Sequence, residues 1–205
     1  MMRLLHLFRR DTRGTAAEFA LVLPVFLLLL LGTIDVGRFM WNTAQAEKAT
    51  QMGARYAVVT DMVATGLYSY NFALAAGVST GDVVPQSVFP GVVCTSSGGT
   101  ASCTCAANGS CTFPLTANQT AFNNIVAVMQ NMYGPIGPEN VVVRYDWSGL
   151  GYAGNPIGSD VDPIVTIALV NLDFKPLISG TLGSIGVPGT SHSLTNEDGI
   201  GNFGH

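Results

Sequence analysis

Four cysteines fall within eighteen residues, at Cys94, Cys103, Cys105 and Cys111. Thiols clustered in this way can pair as disulfides or hold zinc. The spacing Cys-x8-Cys-x-Cys-x5-Cys is not a usual zinc spacing, so disulfides are favoured. Cys103 and Cys105 are one residue apart and would bridge only with strain. Cys94 is therefore expected to pair with one of them and Cys111 with the other, and the sequence does not say which. Asp160 and Asp162, in Ser-Asp-Val-Asp-Pro, could offer two oxygens to calcium, but a lone Asp-x-Asp is common in solvated loops. Gly149, Gly151 and Gly154 fit the letters of a dinucleotide loop. Asn155-Pro156 follows where a phosphate-binding helix would begin, so a glycine-rich turn is the better reading. Among the histidines, His6, His192 and His205, only His192 lies within the body of the chain, and no nucleophile or carboxylate array accompanies it. We expect no enzyme, no cofactor and no metal.

Glu18 poses a different chemical question, because it stands at the mouth of an apolar run, Arg-Gly-Thr-Ala-Ala-Glu-Phe-Ala-Leu-Val-Leu-Pro-Val-Phe. From Phe19 to Ile34 there are sixteen residues without a charge, about 24 Å of helix at 1.5 Å per residue. A bilayer core needs roughly 20 apolar residues, so an extension that makes up the length takes in the acid. Arg3, Arg9, Arg10 and Arg13 precede the run, which places the N-terminus in the cytoplasm and the body outside. Charge follows the same division. Residues 1–55 carry seven basic and four acidic residues, net +3, whereas residues 56–205 hold only Arg144 and Lys175 against nine acids, net −7. A body of that sign cannot neutralise phosphates, which argues against nucleic-acid binding. The cysteines all lie in it, as an oxidising compartment would favour. Ala44-Gln45-Ala46 has the form of a signal-peptidase site but lies beyond Asp35 and Arg38, too far from the apolar run.

After Ile34 good helix formers continue with no proline before Pro85, so the helix is expected to run on to about Ala57 or beyond. Phe39, Ala46, Gly53 and Tyr56 or Ala57 return to one face. Two readings account for them: a core helix, or a helix packing on sister subunits through Ala46, Ala49 and Gly53. The stretch Gly14 to Val58 is similar to the TadE-like family of pseudopilins from tight-adherence (Tad) pilus systems. The features that carry the likeness are Gly14 after basic residues, Glu18-Phe19, Leu23-Pro24, Gly32-Thr-Ile-Asp-Val-Gly-Arg38 and Ala54-Arg55. The resemblance implies cleavage after Gly14 by a membrane prepilin peptidase, leaving Thr15 as the new N-terminus. It also implies that Glu18 pairs with the free amine of a neighbouring subunit, since an acid at this depth costs roughly 2.5–3.5 kcal/mol. In the family pattern that Glu is fifth after the cut, and here it is fourth. Pro24 removes a backbone donor and frees the carbonyl of Ala20, which predicts a kink or a locally melted turn.

The outer body reads as loops and short strands over residues 59–115, including Val83-Val84 and Gly91 to Val93, with a cysteine-stapled loop. A helix from Ala117 to about Tyr133, capped by Thr116 and ended by Gly134-Pro135, comes next. Strands are expected at Val141 to Trp147, Ile164 to Phe174 and Ser191 to Thr195. The fold class is α+β: a long N-terminal transmembrane helix continuing into a pilin-like extracytoplasmic domain with a small antiparallel sheet. Its parts are a basic leader (1–14), the membrane and extended helix (15–60) and the outer domain (61–205). The resemblance implies a minor pseudopilin of a Tad-type (type IVc) pilus serving surface adherence, at its base or tip. Its partners would be the prepilin peptidase, other pilins and pseudopilins, the Tad assembly platform and the bacterial inner membrane. The alternatives are a signal-anchored adhesin or binding module that never enters a filament, and a membrane-tethered enzyme.

Overall fold

The computed structural model describes residues 12–106, 109–177, 183–197 and 199, with side chains from Glu18 onward along the first helix. The leader up to residue 11 lies outside the described residues. Helix α1 spans Thr12–Ala57, 46 residues without interruption, or about 70 Å. The helix passes through Pro24 unbroken, so of the two expectations there, a kink or a locally melted turn, the melted turn does not form. Pro24 has no N–H to donate to the Ala20 carbonyl, and the helix continues past that one missing bond.

The chain forms two compact units. One joins α1 up to Trp41 with the segment Asp173–Ile185, and the other comprises Asn42–Leu172 with the chain from Gly186 onward. In the second unit two short helices, α2 (Thr65–Tyr68) and α3 (Phe72–Ala75), precede a hairpin of β1 (Val92–Ser97) and β2 (Thr100–Cys105). Helix α4 (Gln119–Met132) and a 3-10 turn (Pro138–Asn140) then lead to β3 (Val141–Asp146) and β4 (Ile164–Leu169). The remaining strands are β5 (Leu172–Phe174), β6 (Ile185–Val187) and β7 (Thr190–Thr195). The main sheet is antiparallel in the order β2-β1-β3-β4-β7, and β5 pairs separately with β6.

Alternation explains which face of the main sheet is covered. Val92, Cys94 and Ser96, then Val141, Val143 and Tyr145, then Val165, Ile167 and Leu169 are all buried. Register aligns them in rows, Cys94 opposite Val143 opposite Ile167 and Val92 opposite Tyr145 opposite Val165. Against this face lie α4 and the last turns of α1. Ala46, Ala49, Ala54 and Ala57 are buried, and a Cβ added at Gly53 would stand 2.8 Å from Met129 Cγ and 3.4 Å from Ile167 Cγ2. The small residues therefore admit the chain's own core, not a sister helix. Tyr145 anchors the same core from inside. Its hydroxyl accepts from the Val63 N–H at 2.8 Å, and burial pushes the phenol far above its ordinary value.

Other expectations shift in detail. Helix α4 is capped by Asn118, whose side chain accepts from the Ala121 N–H at 3.1 Å. Thr116 instead uses its carbonyl to accept from the N–H and hydroxyl of Thr65. Val83 and Val84 form no strand. The expected single strand from Ile164 to Phe174 is cut in two at Asn171, which adopts φ 54°. Asn140 stitches the break, donating to the carbonyls of Val170 and Asn171 at 3.1 and 2.9 Å.

Because the Met129 side chain and the sheet beneath it leave no room at Gly53, Gly53→Leu should lower stability by about 1–3 kcal/mol of overpacking. Thermal melting of the detergent-solubilised chain checks this. An unchanged midpoint would mean that the helix end does not seat on the core.

Candidate functional site

The N-terminal half of α1 carries the chemistry that the sequence singles out. Glu18 is exposed, as are Phe19 (65%) and the apolar side chains that follow as far as Ile34. Gly14 and Thr15 lie in the first turn of the helix. Pro24 sits inside it, six residues beyond Glu18. Among the described residues this is the one helix long and apolar enough to cross a membrane. Apolar side chains exposed on every side are what a lipid-facing or subunit-facing helix presents.

Where the apolar run ends, the helix takes hold of a distant segment. Asp35 Oδ1 accepts from an Arg38 guanidinium N–H at 3.0 Å and from the backbone N–H of Leu177 at 2.9 Å. The carboxylate is 8% exposed, so two donors offset much of its desolvation. Arg38 also lies over the Phe174 ring, 5.4 Å from its centroid, and Phe39 meets the same ring edge-on at 5.5 Å. Val36, Pro176 and Ile185 complete an apolar hollow of about 210 Å³ at this place. Asp35 and Arg38 belong to the Gly32–Arg38 motif, but sequence reasoning gave them no task. The available signal was an acid and a base three apart on a helix, immediately after sixteen uncharged residues.

The remaining candidates disperse. Cys94 bonds to Cys103 across the β1–β2 hairpin, and Cys105 bonds to Cys111. Gly98 and Gly99 both have positive φ, 57° and 81°, as a two-residue hairpin turn of type I′ requires. Asp160 is buried, with Oδ2 accepting from the Phe72 N–H at 2.7 Å and Oδ1 from the Asn155 N–H at 2.9 Å. Its oxygens thus join the start of α3 to the β3–β4 connection through backbone N–H donors, as a buried carboxylate requires. Gly149, Gly151 and Gly154 lie in the connection between β3 and β4, with no helix after them. His192, half-buried on β7, faces Ile167 in register. Among the described residues no group of three or more His, Cys, Asp or Glu side chains converges for a metal.

Residues 14–55 match the family model described as TadE-like protein. The match ends two residues before α1 does and takes in Glu18, Pro24, Asp35 and Arg38. No curated protein and no solved structure matches the chain.

Asp35→Ala should free the Leu177 amide, a loss of about 1–3 kcal/mol of local protection. Hydrogen exchange should then quicken at Leu177 while the β3 and β4 amides keep their rates. A second outcome concerns Asp162, whose carboxyl burial pushes above its ordinary value. The native state then holds that proton more tightly than the unfolded chain, so stability falls as pH rises through the window above 3.8. Asp162→Asn should raise Tm at neutral pH and leave it unchanged in strong acid, which calorimetry can follow.

Proposed function

We propose that this chain, TadE-like over residues 14–55, is a non-enzymatic minor pseudopilin of a Tad-type pilus. The observation that carries the reading is the coincidence of the family match with a single helix whose first half exposes apolar side chains all round. Such a surface needs a lipid or protein cover, and a bilayer followed by a filament supplies each in turn. The chain sits in the inner membrane with its N-terminus in the cytoplasm, following the arginines that precede the run, and carries the sheet domain outside. Two disulfides in that domain suit an oxidising compartment. The prepilin peptidase cuts after Gly14 and frees the amine of Thr15. Glu18 then offers its carboxylate to the amine of a neighbouring pilin or pseudopilin on the assembly platform, a pairing that lets both charges leave water.

Spacing is the sharp point of this mechanism. Glu18 is fourth from Thr15 where the family pattern has it fifth, a difference of about 100° and 1.5 Å on a helix. Helix α1 already includes Gly14 and Thr15, so the peptidase must unwind or accommodate that turn. Mass spectrometry of the membrane-extracted chain should find a mature N-terminus at Thr15. Glu18→Gln should leave cleavage intact and abolish co-purification with sheared pili, because it removes the charge and keeps the shape. A mature chain that begins elsewhere, or one with the full leader in piliated cells, would sink the processing step and favour a signal-anchored adhesin.

A further inference from the structure

We propose that residues 173–177 and 183–185 form a second membrane contact, a foot that rests in the headgroup layer beside the point where α1 leaves the bilayer. The inference rests on the reading of residues 19–34 as a membrane span. It goes beyond that reading by assigning a lipid surface to a segment some 140 residues away in sequence.

Position is the first argument. The segment is fastened to α1 at Asp35, Arg38 and Phe39, and Phe39 lies five residues beyond Ile34, about 7.5 Å along the axis. The headgroup layer on each side of a hydrocarbon core is about 5–8 Å deep. A segment tied to the first turn beyond the span therefore lies within that layer.

Side-chain chemistry is the second. Leu177 is 59% exposed and Ile185 52%, and on the helix at the same level Val36, Met40 and Trp41 are 60–68% exposed. Trp41 is the residue type that collects at membrane interfaces. Lys175, exposed beside Leu177, is one of only two cations between residues 56 and 205. Asp173, also exposed two residues before it, balances that charge, so the foot is neutral within an otherwise acidic body and its apolar side chains carry the contact, with Lys175 free to reach the lipid phosphates.

Length supplies the third. The uncharged run gives about 24 Å against a hydrocarbon core of about 30 Å, so the shortfall draws the next turn toward the lipid edge. That turn contains Asp35, costly there if unpaired. The Leu177 N–H and Arg38 hold its carboxylate, while Leu177 and Ile185 widen the apolar girth at the same height. The foot thereby lets a short span end on an acid.

Depth-resolved quenching tests this on the full-length chain in phosphatidylcholine and phosphatidylglycerol vesicles. With Trp41→Phe and Trp147→Phe removing the native indoles, Leu177→Trp is the reporter, Ile185→Trp a second one, and Phe26→Trp marks the span. Lipids brominated close to the glycerol should cut the emission of either foot reporter by about half, as for an indole in the headgroup region, and bromines at the chain ends should do little. The Phe26→Trp reporter should show the opposite preference. Foot reporters that stay red-shifted and unquenched, while Phe26→Trp is quenched, would overturn the foot and leave the span standing. Loss of quenching at Phe26→Trp as well would remove both. Quenching at the foot must persist as lipid is added in excess; a blue shift seen only when protein copies are crowded would assign the surface to a neighbouring chain and overturn the proposal.

Discussion

One unbroken helix presents two kinds of surface, exposed apolar side chains and then a buried stripe of small ones, and the rest of the structure follows from that division. Helix α1 has no break in 46 residues, so its side chains alone decide what each stretch can touch. From Phe19 to Ile34 they are mostly large and apolar, and they are exposed in every direction. From Ala46 on, alanines and Gly53 line one side and are buried. Burying a stripe of small residues yields modest transfer energy per side chain, of order 1 kcal/mol or less. Its advantage is proximity, because it brings the helix backbone down onto α4 and the sheet, where Met129 and Ile167 supply the volume. The stripe at the end of the helix is committed to the chain's own core, and the exposed apolar side chains lie in the stretch before it.

Between these stretches stands the Asp35–Arg38 turn. A surface ion pair three residues apart on a helix is worth a few tenths of a kcal/mol. The backbone N–H of Leu177 changes its weight, because an amide bonded to a nearly buried carboxylate contributes about 1.5–3 kcal/mol. The same turn places Arg38 and Phe39 on the Phe174 ring. A single helical turn thus holds the end of β5 by charge and aromatic contact at Phe174 and the segment after it by a hydrogen bond at Leu177.

Much of this architecture is legible in the residues. Propensity and the absence of proline between Pro24 and Pro85 carry α1 as far as about Ala57 without fixing where it stops, and alternation finds β3, the start of β4 and β7. Three features escape for physical reasons. Gly98-Gly99 between two runs of Ser, Thr and Val is a hairpin signal, but the cysteines draw attention to a staple and away from the strands that they join. Asn171 reaches a left-handed backbone conformation that asparagine tolerates better than most residues, and only Asn140, some thirty positions earlier, makes the break worthwhile. Asn118 outcompetes Thr116 as the cap because the Thr116 carbonyl is engaged by Thr65, a partner that no local pattern encodes. Of the candidate site, the apolar run and Glu18 are plain in the sequence. The task of Asp35 is not, since its decisive donor is 142 residues away.

The acids of the chain illustrate how environment sorts one residue type into separate roles. Asp160 is buried and fully engaged by backbone donors, so it fixes a loop. Asp35 is buried on a helix and engaged by one backbone donor and one cation, so it fixes a segment. Glu18 is exposed, although it sits among apolar side chains at the start of the span. A carboxylate in water needs no partner, but one carried into an apolar layer or a packed bundle does. The first two acids are supplied from within the chain. In the proposed assembly Glu18 would take its cation from a neighbouring chain once lipid or sister helices close around Phe19, and that pairing would set this acid apart from the two whose donors lie within the described chain.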